Sequence, residues 1–425
     1  MKKLFFLTFL IIAVACKQSG TDEESSKQIA QLHQWAIQAD FFNLQENFNK
    51  HKNTVSKTDS LYFEALLAGA YNQPEASNKA IEEFFKIHKI TYKDSLSIKL
   101  LETKLVNQIN LFEYKNAIIT SDTLQKLYAP QFEFDKLEDL RNSFYLLKSL
   151  ENTPKQEIEI SADAELPIIK DKAGLSNLEV TFGEKKINFV FNTGANFSVI
   201  QKSVAEEMGL KIIQSKFMTD NAAGRKVNTN LALAERLEIG PIILRNVVFL
   251  IFDDADLTFP PIDYEMKGIL GFPVTRAFEE IRIAKDSLFI PQEAVDYNLY
   301  NLAFDGLIPL VKVEYKGDAL PFQFDTGAQT TTLYSKFLER YKSEIEANYA
   351  KTNLSVAGGQ YTIGGYLLDS VDLTVGDSKV SMKDVQLFPE RISATDVQYG
   401  NLGQDYIKEF ETMIISFKSA SLLFR

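Results

Sequence analysis

The feature that most constrains the fold of this chain is an internal repeat in its second half. The segment FVFNTGANFSVI returns further along as FQFDTGAQTTTL. In the first copy 77 residues separate Gly194 from a later Gly271, and in the second 76 separate Gly327 from Gly403. A chance match of a short motif would not carry the intervening turns and the closing strand with it. The sequence therefore predicts two homologous β-rich lobes of about 125 residues each, enough for one core apiece.

Each copy of the motif places one short polar residue at the end of a strand. Alternating apolar residues predict a strand that ends at Asn192 in the first copy and at Asp325 in the second. A glycine two residues later permits a tight turn and the close approach of another chain. The residues expected to support the two turns, and an oxyanion beside them, are Thr193, Gly194, Thr326 and Gly327.

Composition excludes several chemistries in the repeat. The chain's three histidines, His33, His51 and His88, and its one cysteine, Cys16, all precede the repeat. A Ser-His-Asp or Cys-His nucleophile and a histidine-rich zinc site are therefore excluded there. The formal net charge of −11 argues against a nucleic-acid partner. No cofactor or metal is predicted. One cluster of acidic residues could form a carboxylate metal site, but such a cluster is more typical of an exposed loop. Its members are Asp253, Asp254, Asp256, Asp263 and Glu265.

The first half of the chain is predicted to be helical. From residue 29 to 153 apolar residues recur at three- and four-residue spacing, and proline is scarce. One segment resembles the tetratricopeptide helix-turn-helix repeat through Tyr114 and Ala117, with a generic helical bundle as the alternative. Such a module normally docks a protein partner. The predicted fold class is thus α+β and multidomain, with N-terminal α-helical hairpins followed by two homologous all-β lobes at residues 161–292 and 300–425.

The N-terminus predicts export and a lipid anchor. Residues 1–15 hold two lysines, an apolar run too short to span a bilayer and a small residue before Cys16. This arrangement resembles the lipobox of bacterial lipoproteins, which implies lipidation of Cys16, membrane anchoring and a place in the bacterial cell envelope, on the periplasmic face or the cell surface. Residues 16–28 are polar and predict a flexible tether. The alternative is a plain secretory leader cleaved near Ala15.

The doubled motif, with a Leu-Gly pair after each copy, resembles the aspartic peptidases of the retropepsin-like group. In that group two copies of a hydrophobic-hydrophobic-Asp-Thr/Ser-Gly motif meet at a two-fold axis. The resemblance covers residues 165–425 and implies a closed or half-closed β-barrel in each lobe. It also implies a cleft between the lobes for peptides or unfolded protein segments, with flaps that contribute the substrate-binding residues Gly224, Gly358 and Tyr361.

The same resemblance implies a mechanism of which this chain holds only half. The family needs two carboxyls that share one proton, because like charges so close together cannot both ionise cheaply. One carboxyl takes a proton from water while the other donates to the scissile carbonyl oxygen. Asp325 can take the first role. Asn192 stands at the other catalytic position, and an amide can hold a hydrogen bond but cannot exchange protons there.

Three functions follow as alternatives. The first is a chain that binds extended peptides between its lobes, with catalysis weak or lost because of Asn192. The second is an active aspartic endopeptidase that uses Asp325 and a bound water, for example by pairing the second lobes of two chains. The third is a non-enzymatic envelope scaffold that acts through the helical module.

Overall fold

The computed structural model describes most of the chain: residues 24, 26–89, 94–220, 226–260, 263–355, 362–391 and 398–425. The predicted lipidation site Cys16 and the predicted flap residues Gly224, Gly358 and Tyr361 lie outside these ranges, so those expectations stay predictions. Within these ranges, no helix combines the length and the apolar character needed to cross a membrane.

The described part of the N-terminal half is helical, as predicted. Its helices are α1 (residues 26–37), α2 (Phe41–His51), α3 (Lys57–Ala70), α4 (Pro74–Ile87), α5 (Ser95–Asn110), α6 (Tyr114–Tyr128) and α7 (Phe134–Leu150), with a short 3₁₀ helix at Ala129–Gln131. Side chains cap several of them. Ser56 Oγ accepts from Asp59 N at 3.0 Å where α3 begins, and Asp94 Oδ1 accepts from Leu96 N at 3.1 Å where α5 begins.

Three helical hairpins share one turn geometry. A residue of positive φ joins α1 to α2, α3 to α4 and α5 to α6, with φ of 53° at Ala39, 59° at Asn72 and 55° at Phe112. The amide that follows each of these residues donates to a carbonyl five residues earlier: Asp40 to Trp35, Gln73 to Ala68 and Glu113 to Gln108. A hairpin unit is therefore repeated, while its assignment as tetratricopeptide stays a prediction.

The first lobe contains a closed β-barrel. Its elements are β1 (Glu157–Ile160), β2 (Ala164–Pro167), β3 (Ile169–Lys170), β4 (Ser176–Phe182), β5 (Lys185–Phe191), β6 (Ser198–Gln201), α8 (Lys202–Glu207), β7 (Lys211–Ile213), β8 (Met218–Asp220), β9 (Lys226–Asn228), β10 (Leu231–Ile239), β11 (Ile242–Phe252), a 3₁₀ helix at Asp254–Leu257, β12 (Thr258–Phe259), β13 (Tyr264–Glu265), β14 (Gly268–Leu270), α9 (Phe272–Ala277), β15 (Glu280–Ala284) and β16 (Ser287–Ile290). Strands β11, β6, β14, β5, β4 and β10 pair in this order, and β10 also pairs with β11. The last pairing closes the barrel.

The second lobe repeats this barrel. Its elements are β17 (Leu302–Asp305), β18 (Ile308–Tyr315), β19 (Asp318–Phe324), β20 (Thr332–Leu333), α10 (Ser335–Asn348), β21 (Lys351–Ser355), β22 (Thr362–Val375), β23 (Ser378–Leu387), β24 (Gly400–Leu402), α11 (Gln404–Ile407), β25 (Thr412–Ser416) and β26 (Ser421–Phe424). Strands β23, β20, β24, β19, β18 and β22 pair in the same order as in the first lobe, and β22 also pairs with β23. The predicted fold class is confirmed.

One sheet joins the two lobes. It has the order β2, β16, β15, β25 and β26, in which residues 280–284 of the first lobe pair antiparallel with residues 412–416 of the second. The rings of Phe272, Phe304 and Phe417 pack beside it, with centroids 5.5 to 6.2 Å apart. An exchange of lobes between two chains would first have to break all of these contacts.

The helical domain docks where the two lobes meet. Arg276, at the last turn of α9, donates from Nε to Asn72 Oδ1 at 2.5 Å and from Nη1 to the carbonyl of Asn110 at 2.7 Å. Asn72 in turn donates to the carbonyl of Phe417 at 2.8 Å. Burial lowers the pKa of Arg276 from its usual value, and an arginine stays charged even so. Arg276 of the first lobe and Phe417 of the second lobe are thus both held by the Asn72 side chain of the helical domain.

Replacing Arg276 by methionine is expected to lower the free energy of unfolding by about 2 kcal/mol, because two half-buried acceptors lose a charged donor while its desolvation cost also disappears. Urea unfolding of the full chain would measure the change. The matched control is Arg141→Met, since Arg141 is exposed on α7 and pairs with Glu138 at 2.7 Å. Equal effects in the two variants would contradict a special role for Arg276.

Candidate active site

The two repeated turns meet at the junction of the lobes. Strand β5 delivers Asn192 and β19 delivers Asp325, each directly after the strand's last residue. The hydroxyl oxygens of Thr193 and Thr326 lie 3.1 Å apart, which is a hydrogen bond between the lobes. Each threonine was predicted to support its turn, and in the structure the two hydroxyls bond to each other, so each contacts the turn of the other lobe.

Asn192 and Asp325 occupy equivalent positions in equivalent turns. Gly194 N donates to Asn192 Oδ1 at 2.9 Å, and Gly327 N donates to Asp325 Oδ1 at 2.7 Å. A methyl group placed on Gly194 would lie 3.4 Å from Asn192 Oδ1 and 3.9 Å from Asp325 Oδ1. The amide and the carboxyl thus border the same small space, with the amide at the place of a second carboxyl.

A strand from later in each lobe supports its turn from behind. The carbonyl of Leu270 accepts from Asn192 N at 3.1 Å, and the carbonyl of Leu402 accepts from Asp325 N at 3.3 Å. The glycine after each leucine passes close to the turn. A Cβ on Gly271 would lie 2.4 Å from the carbonyl oxygen of Phe197, so only glycine fits there.

The site is open to solvent, and of its two matched side chains only that of Asp325 can carry a charge. Asp325 is exposed and Asn192 is half-buried. A neutral amide exerts no like-charge repulsion on the carboxyl, so the effect that makes a carboxyl pair retain one shared proton is missing here. The arrangement can bind a water or a carbonyl oxygen between an acceptor and an amide donor, and it has one group for proton transfer.

The second lobe holds its turn with more polar contacts than the first. Gln404 Nε2 donates to the carbonyl of Thr326 at 2.6 Å. Asp405 accepts from both Thr331 N at 2.8 Å and Thr331 Oγ1 at 2.7 Å. The first lobe has Phe272 and Pro273 at the matching positions, which offer no side-chain amide or carboxylate. The second lobe, which carries Asp325, is therefore also the lobe whose turn is held by an amide and a carboxylate side chain.

Sequence reasoning missed Gln404 and Asp405, although a signal was present. Both follow the Leu-Gly pair of the second copy, where an alignment of the two copies sets them against Phe272 and Pro273. The six motif residues that were predicted do come together in one place: Asn192, Thr193, Gly194, Asp325, Thr326 and Gly327.

Three of the five acidic residues that raised the alternative of a metal site have other partners. Asp254 Oδ1 accepts from Ser203 N at 3.0 Å, Asp263 pairs with Lys172 at 2.6 Å, and Glu265 pairs with Lys267. In the part of the chain that the structure describes, no three His, Cys, Asp or Glu side chains are placed to hold a metal ion.

Comparison with known proteins agrees with this geometry. The family model described as "Aspartyl protease" matches twice, over residues 178–274 and 311–406, which include both turns and both Leu-Gly pairs. No curated protein sequence matches the chain. Among the solved structures 151 chains match, one of them a retropepsin-like aspartic protease from Rickettsia conorii with 20% identity and a TM-score of 0.23, covering 33% of this chain and 97% of that one. The same aspartyl protease family model thus matches each β lobe once, over the repeated barrel and its turn.

Proposed function

We propose that this chain binds extended peptides or unfolded protein segments between its lobes and hydrolyses them slowly or not at all. The observation that carries the proposal is the pairing of two matched turns of which only one holds a carboxylate. Asn192 keeps the hydrogen bond from Gly194 that Asp325 receives from Gly327. The turn geometry is the same in both lobes, while one of the two proton-transfer groups is absent.

The chemistry of the two side chains supports binding over turnover. The Asn192 amide can donate to a peptide carbonyl oxygen, as a protonated carboxyl would. It cannot pass a proton to the leaving amine or receive one from Asp325. Removal of one member of a cooperative catalytic unit generally costs about 10³-fold or more in rate.

An active endopeptidase is the second candidate, and one observation favours it. The second-lobe turn keeps Gln404 on Thr326 and Asp405 on Thr331, contacts that would orient a working Asp325. In this candidate Asp325 alone takes the proton from a bound water. Pairing of second lobes between two chains is a poorer explanation, because the inter-lobe sheet already joins residues 280–284 to residues 412–416 within one chain.

The envelope location belongs to the same proposal. The leader and Cys16 support a lipid anchor, which would hold the cleft at a membrane surface. The helical hairpins leave apolar side chains exposed on α6 and α7, among them Ile119 at 65% and Phe134 at 73%, which suits a module that meets a protein partner. A scaffold without peptide binding remains the third candidate.

The test compares the wild type with Asp325→Asn, using fluorescent pepstatin for binding and an unfolded, labelled protein for cleavage from acid to neutral pH. We expect the wild type to bind without appreciable turnover and Asp325→Asn to bind more weakly, because the inhibitor's hydroxyl loses a charged acceptor. Asp122→Asn is the matched control, since Asp122 lies on α6 and pairs only at the surface with Lys126, at 2.7 Å.

Each of the other candidates has its own outcome in this experiment. Cleavage by the wild type that is lost in Asp325→Asn would establish the active endopeptidase and contradict the proposal. Failure of the wild type to bind either the inhibitor or the unfolded protein would leave the scaffold as the explanation.

A further inference from the structure

The first lobe carries a short hairpin that lies outside its barrel sheet and is joined to the barrel at its base, where Thr229 N donates to the carbonyl of Phe217 at 2.8 Å. Strands β8 and β9 pair over residues 218–220 and 226–228 as a separate two-stranded sheet. In the second lobe the corresponding strand β21 pairs over five residues with β22, which continues directly into the barrel. A two-stranded hairpin is marginal in water by itself, so contacts beyond its base help to keep β8 and β9 in place.

Helix α7 supplies such a contact through one amide side chain. Met218 N donates to Asn142 Oδ1 at 2.7 Å, and Asn142 Nδ2 donates to the carbonyl of Met218 at 2.6 Å. The amide therefore engages both backbone groups of Met218, as a neighbouring strand would. Beside this contact, Leu146 and Leu147 of α7 lie in the same apolar cluster as Phe217, the residue before β8.

The same hairpin is connected to the active-site turn. The buried ring of Phe217 meets the ring of Phe197 with centroids 6.4 Å apart. Phe197 lies five residues after Asn192, and its carbonyl oxygen abuts Gly271 behind the turn. The base of the hairpin thus lies between α7 on one side and the first-lobe turn on the other.

We infer that Asn142 of the helical domain is a positioning residue for peptide binding, because it holds the β8–β9 hairpin in place beside the active-site turn. The inference rests on the proposed function. It makes the helical domain part of the binding apparatus for extended peptides, in addition to any partner it docks. Without the Asn142–Met218 contact the hairpin would sample other positions, and a peptide would bind only the fraction that is correctly placed.

The experiment compares the full-length wild type with Asn142→Ala, Asn142→Asp and the control Asn116→Ala. Asn116 is an exposed amide in the same domain whose side chain bonds only locally, to Glu113 at 3.1 Å. Hydrogen exchange of the segment 215–220 reports the contact, and the affinity for fluorescent pepstatin reports binding. We expect exchange to be about 10-fold faster and the affinity about 10-fold weaker in Asn142→Ala, with an unchanged thermal midpoint. Asn142→Asp, which retains the acceptor for Met218 N, should lie between the two, and Asn116→Ala should match the wild type.

Unchanged exchange in Asn142→Ala would overturn the inference, whatever the inhibitor does. Faster exchange with unchanged affinity would overturn it too, because the hairpin would then be irrelevant to binding. A lower thermal midpoint in Asn142→Ala than in Asn116→Ala would reduce Asn142 to a general structural role. If the wild type itself fails to bind, the proposed function is wrong, and the exchange rates alone then decide whether Asn142 holds the hairpin.

Discussion

Asn192→Asp is expected to raise peptide hydrolysis by about 10³-fold or more over the wild type, since it restores the second member of a cooperative catalytic pair. The turn needs no rearrangement for this change, because Gly194 already donates to the side-chain oxygen at position 192. Two adjacent carboxyls would then share a proton, so turnover should follow a bell-shaped pH profile on the acid side. Cleavage of an unfolded protein at a series of pH values measures both effects.

The control for this gain is the double variant Asn192→Asp with Asp325→Asn, which moves the single carboxyl to the other lobe. It should be as slow as the wild type, because it again has one carboxyl and one amide. If Asn192→Asp binds pepstatin and still fails to cleave, more than the carboxyl has been lost from the site. The first-lobe positions Phe272 and Pro273 would then be the next to replace, since the second lobe has Gln404 and Asp405 there.

Gly271→Ala is expected to destabilise the chain by at least about 3 kcal/mol, at the upper end of the range for overpacking. The added Cβ would lie 2.4 Å from the carbonyl oxygen of Phe197 and 2.8 Å from that of Ala195. Both obstacles are backbone atoms of the active-site loop, so no side-chain rotation can relieve them. Urea unfolding would show the loss of stability, and pepstatin binding should be lost with the geometry of the turn.

Gly364→Ala is the matched control, because a Cβ at Gly364 would meet no atom within 4 Å. It should change stability by a few tenths of a kcal/mol at most, as expected for a substitution away from packed atoms. A Gly271→Ala variant as stable as Gly364→Ala would show that the backbone behind the turn can move, which would contradict the rigidity attributed to the site.

Several features of the fold could be predicted from the sequence because they are local or repeated. Periodicity of apolar residues predicted the helices, and two copies of one pattern predicted two barrels of the same strand order. The juxtaposition of Asn192 and Asp325 followed from the resemblance that the doubled motif carries, and the hydrogen bond between Thr193 and Thr326 accords with it.

Other features could not be predicted, because they depend on common polar residues that contact partners far away in the sequence. Nothing around Asn142 distinguishes it from other polar positions of a helix, and its partner Met218 is 76 residues away. Arg276 likewise contacts Asn72, in a turn, and Asn110, at the end of α5, both in another domain. Such contacts form only when helices and strands from different domains pack together, so no local sequence pattern predicts them.

The amino-acid sequence by itself determined that this chain has two related lobes and that one of them carries an amide where the other carries a carboxylate. That conclusion needs only residue identity and spacing. Tertiary structure alone decided that the helical domain contacts both the lobe junction, through Arg276, and the first-lobe hairpin, through Asn142. The physical reason is that hydrogen bonds and packing act over a few ångströms, and only folding brings residues so distant in the chain within that range.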